Sequence, residues 1–126
     1  MTTNTRQALL GATLNHKNFS IVIGDETLEL SAWELTAGES AEVGENSYVD
    51  DKWDSIRFYD NRVLVSVCEQ GTRKRIFEDA DIDALQAVPA NVIARLRMAV
   101  SDANKDITEA EIKKGKKSLK ASTDSA

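Results

Sequence analysis

Lys17-Asn-Phe-Ser-Ile-Val-Ile23-Gly-Asp-Glu26-Thr-Leu-Glu-Leu-Ser31 holds two alternating runs around one turn. Successive side chains of a strand point to opposite faces. Phe19, Ile21 and Ile23 therefore share one face, and Asn18, Ser20 and Val22 the other. After Gly24-Asp25-Glu26, which has turn chemistry, Leu28 and Leu30 alternate with Thr27, Glu29 and Ser31. This arrangement predicts a β-hairpin with one buried face.

N-terminal to the hairpin, residues 4–12 have the pattern of a short helix. Asn4 or Thr5 can cap it, Ala8, Leu9 and Ala12 fall on one side, and Gly11 and Asn15 mark its end. C-terminal to the hairpin, residues 34–52 lack a continuous apolar stripe. Glu34, Glu39, Glu42 and Glu45 are interrupted by Gly38 and Gly44, which allows a fragmented helix or an acidic loop. Residues 53–70 fit two periods. Val63, Val65 and Val67 alternate as a strand would, whereas Phe58, Arg62, Val65 and Glu69 share one side of a helix.

The signals sharpen beyond residue 77. Asp79 can cap a short helix Ala80–Ala87, with Asp81 and Asp83 in the first turn, where the helix dipole favours acids. Pro89 suits the start of a second helix, residues 89–103, whose Val92, Ile93, Leu96, Ala99, Val100 and Ala103 recur at three and four. Thr108-Glu-Ala-Glu111 is a capping box, with Ile107 and Ile112 placed as a hydrophobic staple. The expectation is a small single α+β domain over residues 1–112, an N-terminal β-hairpin followed by a C-terminal bundle of short helices. A disordered charged tail, residues 113–126, follows.

Composition bounds the function. Of 126 residues, 41% are apolar and 29% charged, which is globular. No run approaches the length of a bilayer-spanning helix, and residues 1–6 do not read as a secretory signal. The single cysteine, Cys68, points to a reducing compartment. The net charge is −5, and between Asp25 and Asp60 eleven acids face two bases, Lys52 and Arg57. Such a surface repels phosphate, so the reading is a protein partner, with no nucleic acid and no membrane.

Catalytic patterns are missing: there is no phosphate loop, dinucleotide fingerprint or nucleophile elbow. His16, the only histidine, reads as a surface residue and Cys68 as an inert core residue. Asp79-x-Asp81-x-Asp83 and Asp102-x-Asn104-x-Asp106 begin like calcium loops. The first has Ala84 and Ala90, and the second Ile107 and Lys113, where Gly and the bidentate Glu belong. No cofactor, no metal and no enzyme activity is expected. Trp33 and Trp53 flank the acidic region, either as core anchors or as exposed partner contacts.

The run Ile76-Phe77-Glu-Asp-Ala-Asp-Ile82-Asp-Ala-Leu85, continuing through Val88-Pro89-Ala-Asn-Val92-Ile-Ala-Arg-Leu96 to Ser101-Asp-Ala-Asn104, resembles the C-terminal half of tail assembly chaperones of long-tailed, siphovirus-type bacteriophages. The likeness spans about residues 61–104, and the hairpin agrees with it. Residues 34–52 depart from the family pattern. The resemblance implies a helix over residues 57–69. It further implies a non-catalytic protein that binds and solubilises the tape measure protein, helps recruit tail tube protein, and self-associates. Such a protein works in the host cell cytoplasm and is absent from the mature virion. Trp33, Trp53, Val92, Leu96 and Val100 are the candidate partner-binding residues. Family members also occur in two lengths through ribosomal frameshifting, for which Gly115-Lys116 is the candidate position. The competing reading is a head-tail joining protein or a generic protein-binding adaptor.

Overall fold

The computed structural model describes residues 4–104. The capping box at Thr108, the charged tail and the Gly115-Lys116 position lie outside them.

The hairpin forms as β1 (His16–Ile23) and β2 (Glu26–Trp33), with Ile21 opposite Leu28 and Phe19 opposite Leu30. Gly24 takes a φ of 61° in the turn, where a side chain would be strained. Burial is uneven along the ribbon. Ile21 and Ala32 are buried and Phe19 and Leu30 half-buried, but Val22, Ile23 and Leu28 near the turn are exposed. The predicted alternation is therefore right, while the core covers only the end of the hairpin away from its turn. Preceding it, α1 (Thr5–Leu10) is capped by Asn4, whose Oδ1 accepts the Arg6 N–H at 2.9 Å, and buries none of its residues.

The ambiguous middle of the chain splits in two. Asp54 caps α3 (Ser55–Ser66) by accepting the Arg57 N–H at 3.0 Å. β5 (Val67–Glu69) then pairs antiparallel with β2, giving a sheet of order β1-β2-β5. The expected helix over 57–69 is thus corrected at Val67. The Ser66 hydroxyl accepts the Trp33 N–H at 3.0 Å and donates to the Trp33 carbonyl at 2.6 Å. That pair of bonds ties the helix end to the sheet, and Val67 and Cys68 enter the ladder fully buried. Arg75 bridges Cys68 on the outer edge, and Gly71 turns the chain at φ 74°.

Residues 34–52 are more ordered than their composition suggests. Thr36 and Glu39 make a reciprocal capping box: Oγ1 of Thr36 accepts the Glu39 N–H at 3.1 Å, and Oε1 of Glu39 accepts the Thr36 N–H at 2.9 Å. They start α2 (Ala37–Glu45). A minimal second hairpin follows, β3 (Tyr48–Val49) paired with β4 (Lys52–Trp53). The predicted α-helix Ala80–Ala87 is corrected to two short 3-10 turns, Asp79–Ile82 and Ala84–Ala87. Asp79 is drawn to Arg75 at 2.8 Å instead of capping, and Asp81 accepts the Glu78 N–H at 2.8 Å. A segment this short before Pro89 satisfies its carbonyls more easily with the tighter winding. α4 (Ala90–Ala103) matches its expected span.

One core unites these elements. Ile21 and Ala32 of the sheet, Val63, Leu64 and Val67, Leu85, and Leu96, Ala99, Val100 and Ala103 of α4 form a single buried cluster. The described residues make one small α+β domain. At its edge, below the surface, Asp60 is 1% exposed and accepts Arg97 Nη2 at 2.6 Å, Arg97 Nε at 3.2 Å and the Gln86 amide. A buried carboxylate is tolerated because each of these donors meets it.

Candidate functional site

Four aromatic rings form a connected strip on the surface. The β3–β4 register places Tyr48 opposite Trp53, so both side chains leave the same face of the hairpin. Their rings meet edge to face at 5.4 Å; Trp53 lies 5.2 Å from Phe58, and Phe58 5.4 Å from Tyr59. Tyr48 is 56% exposed, Trp53 50% and Tyr59 43%. Ile56, one helical turn before Tyr59, is also exposed. Large rings left this open form a patch of the kind that marks a protein contact.

The local structure explains why the rings stand out. Asp50 and Asp51, the two residues between β3 and β4, both take positive φ, 51° and 62°. That is the primed turn whose twist suits a two-residue hairpin, and Asp tolerates it better than most side chains. Asp54 then opens α3 at once, so the hairpin and the exposed side of the helix are continuous. On α3 Asp60, Val63 and Leu64 are buried, whereas Ile56, in the first turn of the same stripe, and Tyr59, at its edge, are exposed.

The strip differs in charge along its length. At the helical end, Arg62 lies 5.5 Å over Phe58 and Arg97 6.0 Å over Tyr59. The Arg97 charge is already matched by Asp60. At the hairpin end four acids, Asp50 and Asp51 in the turn, Asp54 after it and Glu45 before it, flank one base, Lys52 of β4. Tyr48 lines a cleft of about 390 Å³ together with Glu39, Glu42 and Glu45 and with Arg57 and Arg75. Phe58 and Tyr59 line another, of about 540 Å³, with Leu35, Val43 and Asn104.

The five residues singled out from the sequence fall in different places. Trp53 is in the strip. Trp33 is half-buried: its Nε1–H donates to the Thr72 carbonyl at 2.7 Å, His16 stacks on it at 4.4 Å, and Arg73 lies 5.2 Å over the ring. Leu96 and Val100 are 3% and 1% exposed in the core, and Val92 packs half-buried against it. The apolar area of Leu96 and Val100 is taken up within the domain, Trp33 and Val92 keep part of theirs open, and Trp53 is the most exposed of the five. Sequence reasoning missed Tyr48, Ile56, Phe58 and Tyr59. The available signal was the density of aromatic residues between 48 and 59 around an Asp-Asp pair.

Groups with chemical reactivity are quiet. Burial pushes the Cys68 thiol up from its ordinary value, outweighing the nearby Arg73 and Arg75 charges that would lower it. Among the described residues, no group of three or more His, Cys, Asp or Glu could hold a metal ion. No helix among them is long and apolar enough to cross a membrane.

No family model matches the sequence, and no curated protein matches it. A solved structure does: the tail assembly chaperone of bacteriophage HK97, with a TM-score of 0.51 and 16% identity over 80% of this chain and 98% of that one. At that identity the likeness is one of fold. The chain has the fold of the HK97 tail assembly chaperone.

Proposed function

We propose that this chain is a tail assembly chaperone of a long-tailed bacteriophage, which binds and solubilises the tape measure protein and helps recruit tail tube protein during tail morphogenesis. The observation that carries the reading is the agreement of two independent lines. The residues 76–104 resemble such chaperones in sequence pattern, and the whole described domain shares the fold of one of them. The open aromatic strip supports it further, because a protein that shields a long apolar partner needs exposed apolar surface on a soluble, acidic body.

On this reading the protein works in the host cytoplasm, self-associates along its partner, and is absent from the mature virion. A longer product made by ribosomal frameshifting at Gly115-Lys116 belongs to the same proposal. Codons at that site that cannot re-pair after a one-base slip would exclude it.

Co-expression tests the function. A tape measure protein from the same phage should be insoluble alone and soluble with it, at many copies of the chaperone per partner. Recovery of a single copy bound to a folded head or tail protein instead would make the chain a head-tail joining adaptor.

A further inference from the structure

We infer that the Tyr48–Trp53 end of the aromatic strip is a subsite for a lysine or arginine side chain of an amphipathic helical segment in the partner, whose apolar residues lie along Phe58 and Tyr59. This rests on the chaperone reading and names the chemistry of the segment it would hold.

The argument is one of complementarity. A cation is attracted to the face of an aromatic ring, tryptophan most strongly, and the attraction grows where carboxylates stand nearby. At the helical end the chain supplies its own cations, Arg62 over Phe58 and Arg97 over Tyr59. At the hairpin end it supplies two exposed rings at 5.4 Å and the carboxylates of Asp50, Asp51 and Glu45. The stretch from Asp25 to Asp60 carries eleven acids and two bases. One of those bases, Arg57, faces Asp83 at 3.8 Å, and the other, Lys52, lies opposite Val49 on the other face of the hairpin from Tyr48 and Trp53. An acidic or neutral segment gains nothing at that end, whereas a basic one matches both the rings and the carboxylates.

Geometry favours a helix as occupant. Phe58 and Tyr59 line a groove of about 540 Å³ with Leu35 and Val43, along which apolar residues spaced at three and four on a partner helix can lie. The rings of the hairpin continue that line past the start of α3. The strip is thus apolar along the helix and cation-seeking beyond it.

Anisotropy titration of the full chain with two labelled amphipathic peptides tests the inference. Both have the same leucine pattern, one with lysine and one with glutamate on the polar positions. The lysine peptide should bind, and more weakly at high salt. Trp53→Ala and Tyr48→Ala should each weaken it by about tenfold, the loss typical of a central aromatic contact. Trp53→Phe, which keeps a ring, should retain most of the binding, and Asp50→Asn with Asp51→Asn should lower the salt dependence. Val22→Ser, at the far hairpin, should change nothing. Equal binding of the glutamate peptide, or Trp53→Ala and Tyr48→Ala variants that bind like the parent, overturns the inference. So does a strip covered by a second copy, seen as dimers that Trp53→Ala dissociates and the peptide does not. Co-expression separates the two levels. A Trp53→Ala chain that still solubilises the tape measure protein sinks the subsite and leaves the chaperone standing. A parent chain that binds the lysine peptide through Trp53 but rescues no tape measure protein sinks the chaperone and leaves the subsite.

Discussion

Replacing Arg97 with leucine should destabilise the domain by about 2–3 kcal/mol. Asp60 is 1% exposed and accepts three hydrogen bonds, two from the Arg97 guanidinium and one from the Gln86 amide. Without Arg97 the carboxylate stays buried with one neutral donor. Breaking a fully buried pair from one side costs roughly 3–5 kcal/mol. The Arg97 side chain is 31% exposed, so water replaces part of what is lost and the lower figure applies. A domain of this size has only about 5–15 kcal/mol in total. The thermal midpoint should therefore fall by about 10 °C or more.

Urea unfolding followed by circular dichroism measures the change. The double variant Asp60→Leu with Arg97→Leu separates the cause. It removes the charge together with its partner and should recover most of the loss, since a buried pair exchanged for apolar side chains is often neutral. Tyr59→Leu serves as a control for the ring beneath Arg97. An Arg97→Leu chain within about 0.5 kcal/mol of the parent, the spread of ordinary surface substitutions, would refute the argument. A double variant less stable than the single one would do the same.

Three further outcomes follow from other parts of the fold. Thr36→Ala should cost about 1 kcal/mol by opening the capping box of α2, read as a lower urea midpoint with an unchanged slope. Asp51→Gly should stabilise by up to about 1 kcal/mol, because the φ of 62° there suits glycine better; a lower midpoint would show that the aspartate makes a contact the turn needs. Cys68 should react with a thiol reagent only as fast as the domain opens. Because burial raises its folded pKa above the ordinary 9.0, its contribution is intact below that value and is lost as pH climbs beyond it, so stability measured against pH should decline on the alkaline side and do so less in Cys68→Ala.

How much of this was legible in the sequence varied with the kind of signal. The hairpin alternation at 17–31 and the three-and-four spacing of α4 reflect burial on one face, and both elements formed as expected. The middle misled for a physical reason. Val63 and Val67 are four residues apart and both buried, but one packs from a helix and the other from a strand. A single period could not describe them, because the change of structure falls at Ser66, whose hydroxyl is held by Trp33, a residue far away in the chain. Residues 34–52 read as either a fragmented helix or an acidic loop for lack of an apolar stripe. α2 buries only Val43, and its start is fixed instead by Thr36 and Glu39, a signal that hydrophobic periodicity does not contain. The aromatic strip was hidden in the same way, since its four rings come from three elements, β3, β4 and α3, and the β3–β4 turn is what sets Tyr48 beside Trp53 and so beside Phe58.

α3 ties the stability of the domain to its candidate site. Its inward residues Val63 and Leu64 fill the core, and Asp60 anchors α4 through Arg97. Its outward residues carry half of the strip. Arg97 touches both sides, paired to Asp60 below and lying over Tyr59 above. A change in the pair is therefore felt at the strip without any change in the strip itself, while a change at Tyr48 or Trp53, on the small hairpin, leaves the core packing alone. Stability and partner binding should accordingly separate at the hairpin end and couple at the helical end, and an adaptor whose contact lay on α1 or on the far hairpin would show neither pattern.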